Sequence, residues 1–132
     1  MRFILMMHAP RGTGDWQALN WAPEDLKAHM RFMKDFHQAL TEAGELVDAQ
    51  GLAGPQDARI VRAGGNGRPE VTDGPFAESK EFLAGYWIID CETPQQAYEI
   101  AARASAAPGK GGTPLNMPIE VREVMSAPPV EV

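Results

Sequence analysis

Two short runs, Phe3 to Met7 and Gly85 to Asp90, are apolar at almost every position, and they limit the fold more than any other feature of the chain. A strand sends successive side chains to opposite faces, so a run without alternation needs cover on both faces. The two runs are expected as the central strands of one sheet. Helices packed on one face would leave the other open, and a second copy of the same sheet would close it.

The segments between these runs supply the helices. Ala22-Pro23-Glu24-Asp25 has a proline suited to a first helical turn and acids suited to the helix dipole, so a helix is predicted from near Pro23. At roughly 100° per residue, Leu26, His29, Met30, Met33, Phe36, His37, Leu40 and Ala43 share one face, and Gly44 ends the helix. Thr93-Pro94-Gln95-Gln96 has the spacing of a capping box, opening a second helix whose buried stripe is Ala97, Ile100, Ala101 and Ala104.

The remaining strands are shorter. One is expected at Leu46 to Ala49. Arg59 to Ala63 and Glu70 to Thr72 flank Gly64-Gly65-Asn66-Gly67 and read as a hairpin, followed by a reversal at Asp73-Gly74-Pro75-Phe76. Pro108 to Pro118 is a loop rich in glycine and proline, Ile119 to Val124 is a last strand, and residues 126–132 form a flexible tail after a single domain over residues 1–125. The order is strand, helix, strand, inserted hairpin, strand, helix, strand. This is the split βαβ pattern of a ferredoxin-like α+β sheet.

Composition excludes several function classes. The chain has 132 residues, of which 44% are hydrophobic, enough for one core and not for two. A single cysteine, Cys91, leaves no internal disulfide and no multi-thiolate metal site, so a reducing cytoplasm is the expected location. Met1 to His8 is too short and lacks the cleavage site of a signal peptide, and no stretch approaches the roughly 20 apolar residues of a membrane span. With 18 acidic and 12 basic residues, a net charge of −6 and no basic cluster, nucleic acid is not an expected partner.

Val71-Thr72-Asp73-Gly74-Pro75-Phe76-Ala77-Glu78-Ser79-Lys80-Glu81, followed by Gly85-Tyr86-Trp87-Ile88-Ile89-Asp90, resembles the signature of the DGPF branch of the YCII-related family. The resemblance extends to the opening strand, both helices and the closing Glu120-Val121-Arg122. It implies a homodimeric α+β barrel with a pocket between sheet and helices. It also brings a link to a dehydrochlorinase-like branch and an association of DGPF members with extracytoplasmic-function sigma factors. Smaller members of the family carry a histidine on the first helix. Counted back from Gly44, that position is Met33 here, with His29 and His37 one turn away on the same face.

Asp73 reads in two ways: as a general acid or base if partly buried beside apolar neighbours, and as a turn-forming aspartate otherwise. Glu78 is a candidate to orient it, and Lys80 and Arg122 are candidates to hold an anionic group. His8, placed at the end of the first strand, is a second proton carrier, being of the residue type that titrates nearest neutrality. Trp21 and Tyr86, with Trp16 and Trp87, are candidates to line an aromatic pocket for a small organic ligand. His29 and His37 lie about 12 Å apart along the helix axis, too far to share an ion, and are read as flanks of the buried stripe. Neither a metal nor a cofactor is expected. Gly109-Lys110-Gly111-Gly112-Thr113 lacks the spacing of a phosphate loop.

Two functions follow from different classes. One is a small cofactor-independent lyase or isomerase of cyclic or aromatic metabolites, using Asp73, His8 and Glu78. The other is a non-catalytic ligand-binding or regulatory dimer, associated with a sigma factor.

Overall fold

The computed structural model describes residues 1–10, 21–76 and 80–125. Its elements are β1 (Arg2–Pro10), α1 (Pro23–Glu42), β2 (Leu46–Gly51), β3 (Arg59–Ala63), β4 (Pro69–Asp73), β5 (Glu81–Asp90), α2 (Pro94–Ser105) and β6 (Ile119–Glu123), with single 3-10 turns at Pro55–Asp57 and Lys110–Gly112. Trp16, Glu78, the loop glycines Gly12 and Gly14 and the tail from Ser126 lie outside the described residues.

Four strands form one antiparallel sheet in the order β2-β5-β1-β6, and β3 and β4 form a separate two-stranded sheet. The two most apolar strands are central, as their composition requires. This α+β arrangement of two helices and antiparallel sheets is compatible with a ferredoxin-like fold.

The helices end where local chemistry stops them. At the end of α1, Gly44 adopts a φ of 72°, its N–H bonds to the Thr41 carbonyl and the Glu45 N–H to the Leu40 carbonyl, so the last turn is satisfied in a Schellman motif. At the start of α2, the Thr93 side chain accepts from the Gln96 N–H while the Gln96 side chain accepts from the Thr93 N–H, completing the predicted capping box.

Both helices cover one face of the sheet. The core joins Phe3 and Leu5 of β1 and Trp87 and Ile89 of β5 to Phe36 and Leu40 of α1 and to Ala97, Ile100, Ala101 and Ala104 of α2. Each large apolar side chain buried there contributes roughly 1.5–3 kcal/mol. The stripe on α1 is rotated from the expected one: Phe32 packs against the core, whereas Leu26 and Met30 are exposed. Phe32, Phe36 and Leu40 follow one another at four-residue steps, so the stripe centres on that row and Met30 falls at its margin.

Strands β1 and β5 are longer than their apolar runs. Residues His8, Ala9 and Pro10 pair with Leu83, Phe82 and Glu81 beyond an irregularity after Met7. His8 therefore lies within β1 and not at its end. Gly85 sits at this irregularity, where an added Cβ would stand 2.9 Å from the Gln50 carbonyl oxygen of β2. Only glycine lets the two strands approach this closely. Among the described residues, no helix is long and apolar enough to cross a membrane.

Candidate functional site

A cleft of about 220 Å³ opens between α1 and the β2–β5 side of the sheet. Met7, Met33, Ala49, Gly85 and Trp87 give it an apolar lining, and His29, His37 and Tyr86 border it. The helix supplies its three residues by periodicity, since His29, Met33 and His37 recur at four-residue spacing and so line one side of α1.

The two imidazoles are held in different ways. The His29 Nδ1 lies 2.9 Å from the Pro108 carbonyl oxygen. A carbonyl only accepts, so Nδ1 carries the proton and, in the neutral ring, Nε2 keeps a free lone pair. The buried Trp21 steadies the ring edge-to-face, with centroids 5.3 Å apart.

At His37 the roles are reversed. The Trp87 Nε1–H donates to His37 Nε2 at 2.8 Å, and an indole N–H only donates. The proton of His37 is therefore on Nδ1. Burial holds the proton affinity of this ring below its ordinary value, which favours the neutral form. One end of the cleft thus carries an imidazole with an accepting Nε2, and the other carries a neutral imidazole with an N–H on Nδ1.

Tyr86 meets the cleft at its backbone, while its side chain is on the other face of the sheet with those of Met6 and Ile88. Its hydroxyl donates to Asp48 Oδ2 at 3.1 Å, and that hydrogen bond, with burial and the carboxylate charge, pushes the phenol above its ordinary range. The group stays a donor at neutral pH. Burial likewise raises the Cys91 thiol, which keeps it protonated and a poor nucleophile.

The other residues singled out in the sequence lie elsewhere. Asp73 ends β4 in the hairpin sheet, its side chain 97% exposed and its carboxylate 3.8 Å from Arg59 Nε. The partial burial that the general acid or base reading requires is not found around it. His8 Nε2 meets Glu120 Oε1 at 3.0 Å. Arg122 is exposed on β6 opposite Ile4, and Lys80 is exposed just before β5. None of these four lines the cleft. Of the sequence-predicted site, Tyr86 contributes backbone to the cleft wall and Trp21 stands behind His29.

His29 and His37 were legible as members of a helical face and, through the family resemblance, as the histidines one turn either side of the position that Met33 occupies, candidates for a shifted role. The signal that marks them is the placement of two titratable side chains with a methionine between them on one side of a helix. Their tautomers are set by partners 79 and 50 residues away, which no local pattern reveals. Among the described residues, no group of three or more His, Cys, Asp or Glu is placed to hold a metal ion.

A helix-covered antiparallel sheet with a small apolar cleft is the architecture of a small α+β domain. The YCII-related domain model matches residues 1–113, and this chain belongs to that family. A protein of Rhizobium meliloti (strain 1021), uncharacterized protein R00369, is 34% identical over 87 residues, which cover 66% of this chain and 69% of that protein.

Proposed function

We propose that the cleft under α1 binds a small cyclic or aromatic metabolite bearing a carbonyl group and moves a proton on it without a cofactor. The observation that carries this reading is the pair of oppositely polarised imidazoles on one cleft. A cavity of roughly 150 Å³ holds a benzene ring, so about 220 Å³ suits one ring with a few substituents.

In the proposed step, His29 Nε2 takes a proton from the carbon beside the carbonyl. The C–H electron pair becomes the enolate double bond, and the negative charge collects on the carbonyl oxygen. That oxygen accepts a hydrogen bond from the Nδ1–H of neutral His37, a better matched donor to an enolate than a cation that would surrender its proton outright. Where a carbon–carbon double bond is conjugated with the enolate, return of the proton from His29 to its far carbon shifts the double bond and completes an isomerisation. In an elimination the enolate electron pair instead forms a new carbon–carbon double bond, the carbonyl is restored, and the β-substituent leaves with the electron pair of its own bond to carbon. The competing assignment gives proton transfer to Asp73 and His8, with Glu78 orienting Asp73 and Lys80 and Arg122 holding an anion.

A homodimer belongs to the same proposal. Ile4, Met6 and Ile88 lie on the sheet face away from the helices and are only partly covered within one chain. A second copy packed face to face would cover them and form the dimeric α+β barrel.

The test is a screen of monocyclic ketones, lactones and phenols by thermal shift with mass detection of product, on the wild type, His29→Ala and Asp73→Asn. Binding raises the midpoint by mass action. The proposal expects conversion by the wild type and Asp73→Asn and none by His29→Ala. Conversion that survives His29→Ala and is lost in Asp73→Asn would overturn it. Binding without conversion would assign the cleft to a sensing role and favour a regulatory dimer.

A further inference from the structure

The Pro108 carbonyl that fixes His29 belongs to a loop tied down at both its base and its tip. At the base, the Leu115 N–H bonds to the Ala107 carbonyl, and the Gly109 N–H to the Thr113 carbonyl at 2.8 Å. At the tip, the Gly111 N–H donates to Asp25 Oδ2 at 2.9 Å, across 86 residues of sequence. Asp25 stands in the first turn of α1, four residues before His29, so the two side chains reach the same loop from one side of the helix.

We propose that Asp25 is a positioning residue for His29: by anchoring Gly111 it holds the Pro108 carbonyl against Nδ1 and so keeps Nε2 as the accepting nitrogen. The inference rests on the reading of His29 as the proton acceptor of the cleft, but its consequence for the imidazole is independent of turnover. Asp25 touches neither cleft nor ligand. Its effect passes through three peptide bonds of loop backbone, from Gly111 to Pro108. Without the anchor, only the base bonds at Ala107 and Gly109 hold the loop, the carbonyl loses its restraint from the tip, and the ring exchanges its proton between the two nitrogens more readily.

The tautomer can be read directly by heteronuclear NMR of the histidine ring nitrogens, since the chain has only three histidines and His29→Gln assigns the signal. The wild type is expected to show a protonated Nδ1 and an unprotonated Nε2 at His29. In Asp25→Ala the two nitrogen shifts should move toward each other as the tautomers mix. Asp25→Asn keeps an oxygen that accepts from Gly111 while removing the charge, so it should retain the wild-type pattern and the wild-type Gly111 amide shift. Equal disturbance in both variants would mean that Asp25 acts through its charge on the helix, and an undisturbed Asp25→Ala would mean that it does not position His29. Either result overturns the assignment, as would a wild type with its proton on Nε2. An absence of turnover with these spectra as expected would instead count against the catalytic reading alone.

Discussion

The cleft under α1 and the β3–β4 hairpin each carry candidate residues, and they surround a side chain in opposite ways. In the cleft, His37 has Trp87 on one ring nitrogen and Phe36 beside its face, and burial shifts its titration. In the hairpin, Asp73 is 97% exposed, and the cross-strand pair Val61 and Val71 is also exposed. Water screens what a charged side chain does in the second setting and is partly displaced in the first. A motif rich in turn-forming residues marks a reversal of the chain reliably, but the environment that tunes a proton carrier comes from packing.

The contrast should be largest in stability. Leu40 is fully buried under α1, and Leu40→Ala should lower the free energy of unfolding by roughly 3 kcal/mol in a urea titration. Val71→Ala should change it by less than about 0.5 kcal/mol. A hairpin substitution with a cost near that of Leu40 would mean that the hairpin is covered in the assembled protein.

Trp87→Phe keeps most of the ring and removes the N–H that fixes His37. The expected loss is about 1 kcal/mol for an unmade hydrogen bond, with mixing of the His37 tautomers in the ring-nitrogen spectrum. A Phe variant with an unchanged His37 spectrum would remove the basis for the donor role.

A smaller effect is expected in the pH dependence. Burial lowers the folded-state pKa of His37 below 6.5, so the unfolded chain takes up its proton first as pH falls. The unfolded state then binds more protons, and stability rises with pH across that window. The contribution is complete above pH 6.5 and is lost as pH falls from there through the lowered folded value. Denaturant midpoints measured down this range should fall less steeply in His37→Gln than in the wild type, and equal slopes would argue against a buried neutral His37.

Much of the fold was legible because its determinants are local. Gly44 ends α1, Thr93 and Gln96 cap α2, and Gly64 to Gly67 turn the hairpin through contacts a few residues long. The two apolar runs were legible as the central strands, and they stand between β2 and β6 in the sheet. Strand lengths were less legible, since the extension of β1 through His8 to Pro10 depends on partners in β5 more than 70 residues away. The tautomers of the two cleft histidines were not legible at all. They depend on Trp87 meeting His37 and on Pro108 meeting His29, and nothing in a helix's own sequence specifies the partner opposite each ring nitrogen.

The central claim is that ligands enter the cleft under α1. Its most direct test is an amide and ring-nitrogen NMR titration of the wild type with the monocyclic carbonyl compounds that raise its thermal midpoint. The account predicts saturable shifts at His29, Met33, His37, Gly85 and Trp87, with Asp73 and Lys80 unmoved. Shifts confined to Asp73, Gly74 and Lys80, with the two helix histidines silent, would contradict it.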